Sequence, residues 1–185
     1  TISYDAQLQT VYFAVGQPGP WSEGLRGTGG ALYSNSIVAL DARTGKKKWH
    51  FQVMPHESWD RDTAFESLLI DMQVNERTRK VLVQTSKIGW GLVLDRETGA
   101  FIRAFKTAYE SIVAGWTPEG RPINTEGSTV RREDVGGERT FQVCPGVLGA
   151  RNLNAAAYSP ETKLYYIGIN NSCQQARATP VTFTP

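Results

Sequence analysis

Short apolar and β-branched runs, separated by turn residues, make up most of this chain. Residues 36–40 and 48–53 are two such runs, and they flank the turn 41–45, in which Gly45 suits a positive φ. The other predicted strands are residues 11–15, 67–72, 80–85, 90–94, 100–105, 154–158 and 164–169. No segment shows sustained apolar periodicity of 3.6 residues, so the pattern predicts an all-β fold.

The turn sequence D-x-x-T-G occurs at Asp41 and again at Asp95, and residues 159–162 echo it. A strand-rich repeat of roughly 40 to 50 residues is typical of a four-stranded β-propeller blade, although a β-sandwich has compatible spacings. Residues 108–137 are rich in Gly, Pro and charge, which predicts a long excursion between strands and not a linker between domains.

Chain length and net charge limit the number of domains and the kinds of partner to expect. The 185 residues suit one domain, and 20 Lys and Arg against 18 Asp and Glu give a net charge of +2. Such a small excess gives no reason to expect nucleic acid or an anionic membrane as a partner, and the apolar runs are too short to span a bilayer. Because Thr1 leads straight into a strand-like segment, we expect the chain to be an internal piece of a longer protein.

The two cysteines, Cys144 and Cys173, are too far apart for a C-x-x-C metal knuckle. Taken alone, they are equally compatible with two free buried thiols or with one disulfide. A disulfide here would be worth roughly 3 kcal/mol in the chain-entropy model.

Several motifs, in order, resemble the quinoprotein alcohol dehydrogenases, which are eight-bladed propellers that carry pyrroloquinoline quinone (PQQ). Residues 39–49, A-L-D-A-R-T-G-K-K-K-W, resemble the family's tryptophan-docking motif, and a second copy has Arg103 where the Trp is expected. Other segments that resemble the family are S-Y-D (3–5), G-Q-P (16–18), H-E-S-W-D (56–60), S-K-x-G (86–89), C-P to G-x-x-N (144–152) and N-N-x-C (170–173). The resemblance covers residues 1–185 and implies about three of the eight blades, a periplasmic location and a Cys144–Cys173 disulfide.

The resemblance also implies a catalytic site. Asp60 would be the general base that takes the alcohol's hydroxyl proton as hydride leaves for PQQ. Lys87 would lie against the quinone oxygens and Asn152 against the polar edge of the cofactor. Without the resemblance, Asp60 and Asn152 read as turn residues and Lys87 as a solvated surface charge.

A calcium or lanthanide ion is the second implied cofactor, with Gln17, Asp60 and Asp62 as its ligands. In an extended segment residues i and i+2 point to the same side, so both carboxylates are predicted to face one cation. The simpler alternative is that Asp62 pairs with the neighbouring Arg61 or with another surface base. Gln17 departs from the family's Asn and places its amide oxygen one methylene further out. His56 is expected to brace this turn instead of binding metal.

The predicted activity is oxidation of a primary alcohol, with electrons passing to a periplasmic cytochrome c or a similar acceptor. A non-catalytic propeller scaffold and a quinoprotein sugar or polyol dehydrogenase remain alternatives. The chain is expected to be inactive alone, because other parts of the family's cofactor site lie outside it. Packing roles are predicted for Trp21, Trp49, Trp59 and Trp90.

Overall fold

The computed structural model describes residues 1–27 and 29–180, and antiparallel β-strands dominate it, as the sequence predicts. Two four-stranded sheets each run in sequence order from one edge to the other. The first contains β1 (Ile2–Asp5), β2 (Thr10–Ala14), β3 (Ser36–Asp41) and β4 (Lys47–Gln52). The second contains β5 (Leu68–Val74), β6 (Arg77–Thr85), β7 (Trp90–Asp95) and β8 (Phe101–Lys106).

The remaining strands form three two-stranded sheets. They are β9 (Val113–Trp116) with β10 (Pro122–Asn124), β11 (Phe141–Val143) with β14 (Gln174–Ala176), and β12 (Ala157–Ser159) with β13 (Leu164–Tyr166). One helical turn, α1 (Glu23–Arg26), and a 3-10 helix (Arg132–Asp134) complete the elements. In the part of the chain that the structure describes, no helix is long and apolar enough to cross a membrane.

The excursion at 108–137 is more ordered than its composition predicts. It carries the β9–β10 hairpin and the 3-10 helix. Ile112, Val113 and Val130 from this segment are buried in the main core. The segment therefore packs into the main core, and its two strands were not foreseen because they are short and polar on one side.

The repeated turn has the same structure in both sheets. Asp41 Oδ1 accepts hydrogen bonds from the Thr44 backbone N–H at 2.8 Å and the Thr44 hydroxyl at 2.8 Å. Asp95 Oδ1 does the same for Thr98, at 3.0 Å in both cases. The glycine that follows each threonine has φ of +70° or +77°, a region that L-residues rarely adopt. These contacts explain why D-x-x-T-G recurs.

Trp49 joins the first sheet to the second. It lies opposite Ala39 in the β3–β4 pair, and a Cβ added at Gly99 would come within 2.6 Å of its ring. The indole therefore packs flat on the turn of the next sheet, as a docking residue does. Arg103 takes the corresponding place opposite Val93 but is exposed, and it lines a cavity of about 1060 Å³ beside the second sheet.

Two apolar clusters enclose the second sheet. Leu82, Leu92 and Leu94 share a core with Trp49 and Tyr12 of the first sheet. Val81, Val83 and Val93 project to the opposite face and pack near Tyr158 and Tyr165 of the β12–β13 pair. Because strand side chains alternate between faces, the second sheet is a middle layer with neighbours on both sides.

Cys144 and Cys173 form a disulfide, as the family resemblance implies. The bond fastens the end of β11 to the chain just before β14, and Cys144 is fully buried. Trp49, Trp59 and Trp90 pack in the main core as predicted. The prediction was wrong for Trp21, which is 49% exposed because it lies on the loop that carries α1.

Candidate active site

The turn after the first sheet places two carboxylates beside one lysine. Lys87 Nζ lies 3.0 Å from Asp60 Oδ2 and 2.8 Å from Asp62 Oδ2. Both carboxylates face one cation, as the i and i+2 spacing predicts, and that cation is an ammonium of the protein itself. The alternative pairing of Asp62 with Arg61 is wrong, because Arg61 is fully buried and its ion-pair partner is Glu110.

Asp60 lies in a backbone conformation that few residue types tolerate. Its φ is +59°, in the left-handed region where Asp and Asn are enriched among non-glycine residues. His56 opens the same turn with a φ of +56°, and its Nδ1 lies 2.8 Å from Glu23 Oε1, a contact that braces the turn. The turn is thus held in a tight shape that carries Asp60 inward, where it is only 7% exposed.

Backbone contacts hold Lys87 in place. Its N–H donates to the Asp62 carbonyl at 3.2 Å, and its own carbonyl accepts from the Ala150 N–H at 2.9 Å. Gly149, with φ of +74°, lies directly against the lysine stem, where an added Cβ would come within 2.4 Å of Lys87 Cβ. Glycine at 149 is therefore a steric requirement for the position of Lys87.

The charges of the cluster interact strongly. Burial raises the pKa of Asp60, and the nearby Asp62 carboxylate adds to this, while the Lys87 ammonium opposes it. Burial acts to lower the pKa of Lys87, but hydrogen bonds to Asp62 and Asp60 outweigh it and the pKa is raised. The site thus holds a protonated lysine between two carboxylates, of which Asp60 binds a proton more readily than an exposed Asp.

One oxygen of the cluster is available for a ligand. Asp60 Oδ1 is buried and has no hydrogen-bond partner among the described residues, whereas Asp62 Oδ1 accepts from the Gln17 backbone N–H at 3.0 Å. Residues 1–27 and 29–180 contain no group of three or more His, Cys, Asp or Glu side chains placed to hold a metal. The oxygen donors of Gln17, Asp60 and Asp62 suit a hard cation, provided that the Lys87 ammonium moves away from at least one of the two carboxylates.

Asn152 is not in direct contact with this cluster. Its side-chain amide donates to the Leu148 carbonyl at 3.2 Å. The adjacent Arg151 is bonded to the Lys87 segment through its backbone N–H, which donates to the Ser86 carbonyl at 3.3 Å. Asn152 therefore follows a residue that is bonded to the β6–β7 loop carrying Lys87, and its contact with PQQ stays a prediction.

Two supports of the site were missed by sequence reasoning. Arg61 donates from Nη1 to the Lys87 carbonyl at 3.2 Å, beneath the ion pair. The loop that carries Gln17 is tied to the turn by Glu23, whose N–H donates to Ser58 Oγ at 3.1 Å, and by Arg26, which donates to the Glu57 carbonyl at 2.5 Å. The adjacency of Arg61 to two aspartates was the only signal in the sequence, and it pointed to the wrong partner.

Comparison with known proteins gives a consistent result. The family described as "PQQ: Glucose/ethanol/alcohol dehydrogenase, beta-propeller domain" matches residues 1–115. A protein named putative dehydrogenase XoxF, from Paracoccus denitrificans, is 35% identical over 98% of this chain and 31% of its own length. The lanthanide-dependent methanol dehydrogenase of Methylacidiphilum fumariolicum (strain SolV) is 33% identical over 98% of this chain and 29% of its own length.

A solved structure agrees with the fold. The europium-containing methanol dehydrogenase superposes with a TM-score of 0.91 at 31% identity, over 100% of this chain and 31% of that one. This likeness and the family match confirm the predicted β-propeller class. The chain spans about a third of the length of these relatives.

Proposed function

Because this chain belongs to the PQQ-dependent glucose/ethanol/alcohol dehydrogenase family, we propose that it carries part of the active site of an enzyme that oxidises a primary alcohol. The supporting observation is the cluster in which the Lys87 ammonium joins Asp60 and Asp62, while Asp60 Oδ1 has no hydrogen-bond partner within residues 1–27 and 29–180. A buried carboxylate with a free oxygen is a suitable proton acceptor. Since the relatives are about three times longer, the activity is proposed for the whole protein that contains this sequence.

Asp60 acts as the general base in this proposal. Its free Oδ1 accepts the hydroxyl proton of the alcohol, and burial raises its pKa so that the proton is held more readily than by an exposed Asp. Lys87 keeps the carboxylate oriented through Oδ2 and presents its ammonium to the quinone oxygens. PQQ, when bound, supplies the two-electron acceptor for the hydride.

The metal ligands are proposed to be Gln17, Asp60 and Asp62. A calcium or lanthanide ion, when bound, supplies a Lewis acid at this place. Asp60 offers its Oδ2 once Lys87 no longer binds it, Asp62 a partly exposed carboxylate, and Gln17 an amide oxygen on the loop that is hydrogen-bonded to Asp62. Asn152 is proposed to contact the polar edge of PQQ from the adjoining segment.

The proposed location is the periplasm, with a cytochrome c or a similar protein as electron acceptor. The support from the structure is the Cys144–Cys173 disulfide, because such bonds persist in oxidising compartments. The proposed substrate is a small-molecule alcohol.

The test uses the protein encoded by the whole reading frame in which this sequence lies. That protein is reconstituted with PQQ and with Ca²⁺ or La³⁺, and dye-linked oxidation of primary alcohols is measured. Asp60→Asn is expected to lower kcat by about 10²- to 10⁴-fold, the range for loss of a general base. Glu97→Gln, an exposed carboxylate far from the cluster, is the control and is expected to change nothing. Absence of oxidation of any primary alcohol with either metal would contradict the proposal.

A non-catalytic propeller scaffold is the second candidate. The observation in its favour is that Lys87 already neutralises both carboxylates, and the described residues contain no larger acidic cluster. Tb³⁺ binding, monitored through Tb³⁺ luminescence, distinguishes the enzyme from the scaffold. An enzyme site predicts that Asp60→Asn and Asp62→Asn weaken binding, whereas affinity unchanged in both variants would favour the scaffold.

A further inference from the structure

Arg61 lies between the two site carboxylates in sequence but projects to the opposite side. Its side chain is 1% exposed, so it sits in the protein interior behind the turn. An isolated buried guanidinium is costly, and such groups are retained where they are paired or hydrogen-bonded. The contacts of Arg61 therefore indicate what it does.

One contact is to the backbone of the site lysine. Arg61 Nη1 donates to the Lys87 carbonyl at 3.2 Å, and that carbonyl also accepts from Ala150 N–H at 2.9 Å. The Lys87 N–H donates in turn to the Asp62 carbonyl at 3.2 Å. Arg61 thus joins the Asp60–Asp62 segment to the β6–β7 loop that carries Lys87, and the two ion pairs of the Lys87 ammonium join the same two segments.

The other contact is to Glu110. Arg61 Nη2 lies 3.8 Å from Glu110 Oε1, and both side chains are buried. Glu110 is itself fixed by backbone donors, with Gly89 N–H at 2.8 Å on Oε2 and Ile112 N–H at 2.8 Å on Oε1. Gly89 follows Lys87 by two residues in the β6–β7 loop, so the Glu110 carboxylate lies between the guanidinium and that loop.

Charge alone does not account for this arrangement. Glu110 needs a nearby cation, which a lysine could also supply, but a lysine cannot present two nitrogens at once to a carbonyl and a carboxylate. In arginine, Nη1 makes the hydrogen bond to the Lys87 carbonyl, while Nη2 pairs with Glu110 by charge at 3.8 Å without a hydrogen bond. A role in placement and a role in charge compensation therefore predict different results for Arg61→Lys.

We propose that Arg61 is a positioning residue that sets the distance of the Lys87 ammonium from Asp60 and Asp62 by holding the Lys87 carbonyl against Glu110. Its importance for catalysis rests on the proposed function, but the placement of the ammonium does not. Loss of the fork leaves the lysine backbone with one donor fewer, and the ammonium then samples positions further from the carboxylates.

The test follows the ammonium directly. The exchange rate of the Lys87 NH₃⁺ protons with water is measured by ¹H–¹⁵N NMR on the whole protein that contains this sequence, without cofactor or metal. Arg61→Lys is expected to raise this rate about tenfold, since a displaced ammonium is less protected, while the dispersed β-sheet amide spectrum persists. Glu110→Gln keeps an oxygen for a backbone N–H but removes the charge, and it is expected to raise the rate by a smaller factor.

Arg151→Lys is the matched control. Arg151 is equally buried, is paired with Glu66 and bonds to Thr85, yet its side chain does not touch Lys87. Its replacement is expected to leave the Lys87 rate within twofold. An unchanged rate in Arg61→Lys, or an equal rise in Arg151→Lys, would overturn the proposal, and Glu110→Gln decides the matter if Arg61→Lys does not fold.

A second readout links placement to catalysis. In the whole reconstituted protein, Arg61→Lys is expected to lower kcat about tenfold with KM for the alcohol within twofold, because misplacement of a reacting group costs rate. If the wild-type protein oxidises no alcohol while the ammonium result holds, the proposed function fails and the positioning role stands. If kcat is unchanged and the exchange rate is unchanged, the positioning role fails alone.

Discussion

Replacement of Lys87 by methionine removes the cation from a site that holds two carboxylates. Asp60 is 7% exposed, and its contact with Lys87 Nζ at 3.0 Å is its only ion pair among the described residues. Breaking a buried pair by removing one partner costs about 3–5 kcal/mol. Since Asp62 is more exposed and can be hydrated, the lower end applies, and we expect Lys87→Met to lose about 3 kcal/mol of stability at pH 7.

The loss should depend on pH in a defined direction. The pKa of Asp60 is already raised in the folded protein, and removal of the ammonium raises it further. A carboxyl whose folded pKa exceeds its unfolded pKa favours folding below the unfolded pKa, and this contribution disappears as pH rises through the folded pKa. The deficit of Lys87→Met relative to the wild type is therefore largest near pH 8 and shrinks towards pH 5.

Urea unfolding followed by tryptophan fluorescence at pH 5, 6, 7 and 8 measures this deficit. Arg79→Met is the control, because Arg79 pairs with Asp95 at 2.8 Å near the surface and its loss is expected to cost no more than about 1 kcal/mol. The pKa of Asp95 is lowered, so the control deficit should stay constant over this range. A Lys87→Met deficit no larger than that of the control, or one that grows as pH falls, would refute the reasoning.

Three further outcomes are expected. Trp49→Ala should lose about 3–5 kcal/mol in urea unfolding, since it empties the interface between the two sheets; a loss below 1 kcal/mol would contradict the docking role. Gly149→Ala should shift the Lys87 amide resonance and weaken Tb³⁺ binding, because the added Cβ would clash with the aliphatic part of the Lys87 side chain. An unchanged Lys87 resonance would contradict this steric role of Gly149. Burial raises the pKa of Glu57 to about 7, although a hydrogen bond from the Trp59 N–H acts to lower it. Glu57→Gln should therefore be more stable than the wild type by about 2 kcal/mol at pH 8, and this gain should fade towards pH 5, where Glu57 is protonated.

The local parts of the fold were predictable because their causes are local. The D-x-x-T-G turn is stabilised within five residues by Asp41 or Asp95, so its structure follows from the sequence that encodes it. Asp60 and Asp62 do face one cation as predicted, but a turn with Asp60 at φ of +59° brings them there, and not the strand geometry from which the prediction was made. The role of Lys87 came from the family resemblance, since nothing near it in sequence distinguishes it from a solvated lysine.

The supports of the site were not predictable because they depend on contacts between distant segments. Glu110 lies in a stretch that reads as an irregular excursion, and its burial against Arg61 appears only when the chain is folded. The same applies to Gly149, whose need for glycine is set by the lysine stem and not by its own turn. For Gln17, the structure shows a backbone contact to Asp62, and its amide as a metal ligand stays a prediction.

The difference between Trp49 and Arg103 has a consequence for how the protein unfolds. Trp49 is buried only when the turn at Gly99 in the next sheet has formed, so the first two sheets stabilise each other as nearest neighbours do in a repeat array. At the next junction an exposed Arg103 and a cavity replace that coupling. We therefore expect native-state hydrogen exchange to show one cooperative unit comprising both four-stranded sheets, with the β12–β13 pair opening separately and at lower free energy.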